Sequence, residues 1–207
     1  YYLKGKGNLN EPEAMTFETG RNQWQSYDHW SPKESEARNL FLQTGKKLSF
    51  DKPSSSDAVE TYVSDPANPV PYRKRPIEAT YDQKGSGWYT WLVADQRFLN
   101  GRNDVVAWQS EVLDKDLVIA GDIVAHLFAA TTGTDSDWVV KLIDVYPDET
   151  GEKNMAGYQL MIADEIFRGR YLNGFAKAAP IVAGQVNEYS IDLHSANHCF
   201  KKGHRVM

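Results

Sequence analysis

Five histidines, His29, His126, His194, His198 and His204, come first among the groups that could do chemistry, because imidazole ionises near neutrality and ligates metals. His194 and His198 stand four residues apart, the spacing that puts two metal ligands on one helix face. The text Leu193-His194-Ser195-Ala196-Asn197-His198 lacks the Glu of a His-Glu-x-x-His motif, and it continues an expected strand, which breaks that geometry. His126 sits inside a strong strand pattern and reads as a packed or half-exposed strand residue. A nucleophilic serine of the α/β-hydrolase type needs Gly-x-Ser-x-Gly, whose small flanks permit a strained elbow. No serine here meets it. Gly85-Ser86-Gly87 has Lys84 and Trp88 at the critical flanks and reads as a turn.

Carboxylates gather at Asp135, Asp137, Asp144 and Asp148, where loop oxygens could hold calcium, but Thr132-Gly133-Thr134-Asp135-Ser136-Asp137 lacks the twelve-residue calcium-loop spacing. A solvated turn is expected. Cys199 is the sole cysteine, so no intramolecular disulfide can form. Trp24, Trp30, Trp88 and Trp91 could stack against sugar rings, which gives a carbohydrate-binding module as the alternative reading. In a chain with 12% aromatic residues, most rings serve packing. These residues yield no catalytic, metal or cofactor assignment.

The elements that must position such groups follow a β rhythm. The chain has 207 residues, 41% apolar and 25% charged, enough for one sizeable core. A net charge of −5 and a pI near 5.6 offer no general attraction to nucleic acid or anionic membranes. No stretch approaches the ~20 apolar residues that span a bilayer. Arg73-Lys74-Arg75, set between Pro71 and Pro76, reads as a solvated loop.

Met15-Thr16-Phe17-Glu18-Thr19 alternates, and residues 40–42 and 48–50 flank Gly45-Lys46-Lys47 at hairpin spacing. Residues 65–76 carry four prolines and form an irregular crossing. Residues 77–103 form a long connection with anchoring rings. Strands are expected over 104–110, 117–130, 138–146, 158–162 and 186–193, with a last one opening at Arg205. The second and third of these make the best hairpin, through residues 131–137, and Gly121 marks a bulge or bend. Residues 163–171 alone have helical flavour. Nine or ten strands without an α-rich half predict an all-β sandwich of the jelly-roll class.

Several blocks of text resemble one family. They are Asp65-Pro66-Ala67-Asn68-Pro69-Val70-Pro71, Asp104-Val105-Val106-Ala107-Trp108-Gln109-Ser110-Glu111, and the run from Asp135-Ser136-Asp137-Trp138 through Val145-Tyr146-Pro147-Asp148. The last of these is the most specific. The family is the X-Pro dipeptidyl-peptidase C-terminal-like domain of cocaine esterases, α-amino-acid ester hydrolases and glutaryl-aminocephalosporanate acylases. Phe17-Glu18-Thr19-Gly20-Arg21-Asn22-Gln23-Trp24 and Gly203-His204-Arg205-Val206-Met207 are most similar to the latter two groups. The resemblance covers nearly the whole chain.

It implies a galactose-binding-like jelly roll packed on an α/β-hydrolase domain, whose Ser-Asp-His triad cleaves esters or amides through an acyl-enzyme. The triad belongs to that other domain, so this chain alone is expected to be inactive, without catalytic residue, metal or cofactor. Residues 1–207 are expected to be a single C-terminal domain of a larger serine hydrolase. Both ends read as fragment boundaries, since Tyr1 is not an initiator Met and a strand stops at Met207. The expected partners are the hydrolase domain and the ester, amide or peptide substrate of the parent, with neither nucleic acid nor membrane. A periplasmic or secreted location is implied by the resemblance. Trp88, Trp91, Asp95 and Arg97, in the 77–103 connection, are the candidates for the wall of the parent's substrate site or for the domain interface.

Overall fold

Alternation of inward and outward side chains along a few long strands builds the domain. The computed structural model describes residues 3–7, 10–55, 58–77, 79–83 and 85–207. The first half holds short strands: β1 (Ala14–Glu18), β2 (Gln23–Tyr27), β3 (Phe41–Gln43), β4 (Lys47–Ser49), β5 (Tyr81–Asp82) and β6 (Gly85–Ser86). One helical turn, α1 (Tyr89–Leu92), and a 3₁₀ turn, Gln96–Leu99, follow. The second half holds β7 (Gln109–Ser110), β8 (Leu117–Ala129), β9 (Asp137–Val145), β10 (Gln159–Arg168), β11 (Asn187–Phe200) and β12 (Arg205–Val206).

Strand β8 pairs antiparallel with β11, while β9 lies between β10 and β12 in a second sheet. Trp138 and Val140 of β9 and Phe167 of β10 meet Ala125, Leu127, Tyr189 and Ile191 of the opposite layer in one core cluster. A second cluster joins Leu48, Phe200 and Val206 to Trp108, Leu117, Ile119 and Leu142. This is the expected all-β sandwich.

The expected hairpin between residues 117–130 and 138–146 does not form. β8 and β9 belong to different layers, because Leu127 and Val140 both need burial and obtain it by facing one another across the core. The intervening residues carry the chain from one sheet to the other. Of the strand expected over 104–110, only Gln109–Ser110 pairs, parallel to β4. Upstream of it, residues 103–104 form a turn, with Asp104 held by Arg102 at 2.6 Å, and residues 105–108 join no ladder. The helical character expected over 163–171 is also overturned. Residues up to Arg168 complete β10, since its alternation puts Phe167 in the core, and only the 3₁₀ turn Gly169–Tyr171 remains.

The bulge expected at Gly121 lies across the ladder from it. Three residue steps of β11, from Asp192 to Ser195, span two steps of β8, from Val124 to Asp122, and His194 takes a left-handed φ of 64° there. Gly121 serves a different purpose: at φ 134°, any Cβ would run into the Ser31 side chain. Lys84, beside the Gly85-Ser86-Gly87 turn, lies outside the described residues.

Candidate functional site

The bulge in β11 decides which side chains enter the core. Before it, Tyr189, Ile191 and Leu193 face inward; after it, the parity switches and His198 and Phe200 do so. His198 is fully buried and meets Asp144 of β9, also fully buried, with Nε2 3.2 Å from Oδ2. His204, in the turn before β12, brings Nδ1 to 2.8 Å from Oδ1 of the same carboxylate. Nδ1 of His198 lies 2.7 Å from the Thr19 hydroxyl. With both rings neutral, Thr19 donates to His198, and each imidazole donates one N–H to a different oxygen of Asp144.

Burial alone would raise the Asp144 pKa, but the hydrogen bonds from His198 and His204 outweigh it and hold the carboxyl below the ordinary Asp range. The Tyr146 ring packs 4.3 Å from His204, and burial, with the Asp144 charge added, pushes its phenol up to about 12. The hydroxyl, imidazole and carboxylate of Thr19, His198 and Asp144 have the order of a nucleophile, base and orienting acid. Their setting is that of a staple. Thr19 is bonded on both sides to β11, its N–H to the Asn197 carbonyl at 3.1 Å and its carbonyl to the Cys199 N–H at 2.9 Å.

That attachment explains the block from Phe17 to Trp24. Gly20, at φ 85°, lies so close to Cys199 that an added Cβ would overlap the Cys199 carbonyl. Arg21 ties the same corner to Asp116 at 3.1 Å and to buried Glu18 at 3.4 Å. Asn197 donates to the hydroxyls of Thr16 and Tyr27, at 2.7 and 3.0 Å. Sequence reasoning weighed His198 as a metal ligand and Asp144 as part of a calcium turn, and missed their joint role. The signal was there in the blocks carrying the resemblance, which contain Thr19, Asp144 and His204. Asp135 lies in the turn expected for it, where Arg170 reaches it at 2.8 Å, while Asp137 opens β9. His194 is exposed beside Glu165 at 3.1 Å, and His126 beside Glu188 at 3.3 Å.

The four residues expected at a substrate wall or interface separate into two pairs with different surroundings. Trp88 and Trp91 stack at 5.2 Å with 26° between their planes, and the Arg73 guanidinium lies 4.0 Å over the Trp91 ring. Around them Trp88, Tyr89, Leu92 and Val93 stay exposed. Asp95 and Arg97 are turned to local structure. Asp95 accepts from the Arg97 backbone N–H at 3.1 Å, its Nε at 2.7 Å and the Gln159 N–H at 3.2 Å. Burial raises the Asp95 pKa, but these hydrogen bonds prevail and lower it. Arg97 donates to the Ala156 carbonyl at 3.1 Å, and Tyr158 to the Val93 carbonyl at 2.5 Å. Half-buried Lys141 of β9 donates to buried Gln96 at 2.8 Å, its own pKa lowered by burial against a raising pull from Asp164. Together these contacts pin the 77–103 connection against the outer face of the β9–β10 sheet.

Comparison with known proteins places these features in a family. Residues 9–207 match the X-Pro dipeptidyl-peptidase C-terminal non-catalytic domain. Cocaine esterase of Rhodococcus sp. (strain MB1 Bresler) is 28% identical over 204 residues, 95% of this chain and 33% of the esterase. A solved aminopeptidase from a marine sediment archaeon (Thaumarchaeota archaeon) superposes with a TM-score of 0.91 at 47% identity, over 99% of this chain and 33% of that one. An α-amino acid ester hydrolase superposes with a TM-score of 0.87 at 43% identity, over 99% of this chain and 34% of that one. The chain thus spans about a third of the length of the relatives it matches. It belongs to the family of X-Pro dipeptidyl-peptidase C-terminal non-catalytic domains.

Proposed function

We propose that residues 1–207 form one accessory domain of a serine hydrolase that cleaves ester or amide bonds. In this reading the domain packs on an α/β-hydrolase-type catalytic domain and uses the 77–103 connection as part of the interface or of the substrate-site wall. The observation that carries it is a mismatch between exposure and anchoring. Trp88, Tyr89, Leu92 and Val93 are exposed on a segment held to the β9–β10 region by four polar contacts, and neither core cluster draws on them. A rigid apolar surface that the domain's own core does not use fits a docking face. The parent's chemistry is drawn from the printed names of the relatives, an esterase, an aminopeptidase and an amino acid ester hydrolase. The choice among ester, peptide and acylase substrates is made in a pocket mostly outside these residues.

The 207-residue chain is therefore expected to hydrolyse neither nitrophenyl esters nor amino-acid amides, even at high protein concentration. Turnover that a serine-directed phosphonate abolishes would overturn the reading. A carbohydrate-binding module remains the alternative at the level of fold analogy. It draws little support from the rings, which fall into separate pairs, Trp24 with Phe17, Trp30 with Tyr27 and Trp88 with Trp91, while Arg73 occupies a face of Trp91. Titration of a glycan panel against tryptophan fluorescence discriminates, since saturable shifts removed by Trp88→Ala would favour sugar binding.

A further inference from the structure

Arg73 is the cation whose surroundings the accessory role does not yet explain. Its guanidinium carbon lies 4.0 Å over the Trp91 ring, and its Nε and Nη1 atoms are shielded from solvent and meet no acceptor. No carboxylate pairs with it among the described residues, whereas Arg21, Arg97, Arg102 and Arg170 each have one within 3.1 Å. Shielding a guanidinium without a counter-charge is costly, and leaving its donors unpaired adds to that cost. Planar guanidinium stacked on an aromatic ring is also the form in which arginine is held ready for a carboxylate. Lys74 and Arg75 make the same loop basic in a chain of net charge −5. That positive loop argues against a second copy as the occupant, since a two-fold contact would set like charges against each other.

We propose that the Arg73–Trp91 stack is the seat for a carboxylate-bearing segment of the catalytic domain, with Trp88 and Tyr89 forming the apolar rim around it. The inference rests on the accessory-domain reading and adds the chemistry of the partner surface. Two-thirds of the relatives' length lies outside the aligned region, which is ample chain to supply such a segment. The acidic group supplies the missing counter-charge at the part of the guanidinium that stays open, and the apolar rim excludes water around it, as at the centre of a tight interface.

The test compares hydroxyl-radical footprints of the 207-residue chain with those of the longer chain carrying the catalytic domain. Trp88 and Tyr89 should oxidise about threefold more slowly, or less, in the longer chain, as expected for side chains at an interface centre. Equal rates would remove the accessory reading, and this inference with it. Given protection, Arg73→Met keeps the packing on Trp91 and removes the charge, while Arg73→Lys keeps the charge.

In the longer chain, Arg73→Met should abolish most of the protection and Arg73→Lys should retain part of it. In the 207-residue chain, both should leave the thermal midpoint within about 2 °C. Undiminished protection in Arg73→Met would overturn the carboxylate seat and leave the interface standing. An equal loss of thermal midpoint in both chains would make Arg73 a packing residue and overturn it as well. So would a rise in KM confined to anionic substrates with the footprint unchanged, since Arg73 would then serve the substrate.

Discussion

The buried carboxylate of Asp144 is the residue on which three separate pieces of chain converge. It joins β9 to the His204 turn and, through His198, to the Thr19 corner of β1. Asp144→Ala leaves two imidazole N–H groups buried without an acceptor, and it is expected to cost about 2–5 kcal/mol in urea unfolding, at about 1–3 kcal/mol for each unsatisfied donor. The pH dependence follows from the direction of its pKa. A carboxyl held below its unfolded value contributes stability above the unfolded Asp pKa, and that contribution is lost as pH falls through the folded one. Acid unfolding of the wild-type chain should therefore begin below about pH 4, the unfolded Asp range, and Asp144→Asn should flatten that limb. An acid limb unchanged in Asp144→Asn would contradict the assignment.

Tyr189 makes the opposite case, because its hydroxyl is buried without a partner beside Trp138. Tyr189→Phe is expected to leave stability within about 1 kcal/mol of wild type or to raise it, since the group removed was unsatisfied. A large loss would reveal a bonded water at that hydroxyl.

At the scale of elements, the long strands were legible because residues 121–129 alternate and residues 138–145 form a β-branched, apolar run. Their partners were not. Alternation says which face is buried and is silent on which strand lies alongside, so two neighbouring strands were expected to pair when they face each other across the core instead. The buried cluster was hidden for a related reason. His198 becomes an interior residue only because one extra residue in β11 inverts the alternation, and no local pattern in Leu193-His194-Ser195-Ala196-Asn197-His198 announces a bulge. Removing His194 should restore the register and turn His198 and Phe200 outward. The expected result is loss of the cooperative unfolding transition and of the near-UV dichroism, while a shortened strand with native spectra would show that the bulge is dispensable. The Gly20 corner is equally strict. Gly20→Ala adds both a left-handed φ penalty and an overlap with the Cys199 carbonyl, an expected loss of about 1–3 kcal/mol by thermal or urea unfolding.

The whole molecule divides into a sandwich that holds itself together and a surface segment held on it. Among the described residues, one core cluster draws on residues 40–48 and on residues from 108 onward, the other on residues from 125 onward, and neither takes a side chain from residues 49–107. The 77–103 connection is attached instead by polar contacts of Asp95, Gln96, Arg97 and Val93 with the β9–β10 region. Sequence reasoning singled out this segment from its rings and from Asp95 and Arg97, but it had no means of telling that those two residues hold each other. The two roles should separate in experiment. Replacing residues 77–92 by a short Gly-Ser linker removes α1 and the exposed rings while keeping Asp95 and Arg97, and closing so short a loop adds little entropy cost. The 207-residue chain should keep a single cooperative transition, with stability within about 1 kcal/mol of wild type, since surface changes away from the core cost little. In the longer chain, the same replacement should expose new protease sites in the catalytic domain and lower hydrolysis. If the short chain instead loses its transition, the segment belongs to the core, and its exposed rings no longer argue for a partner.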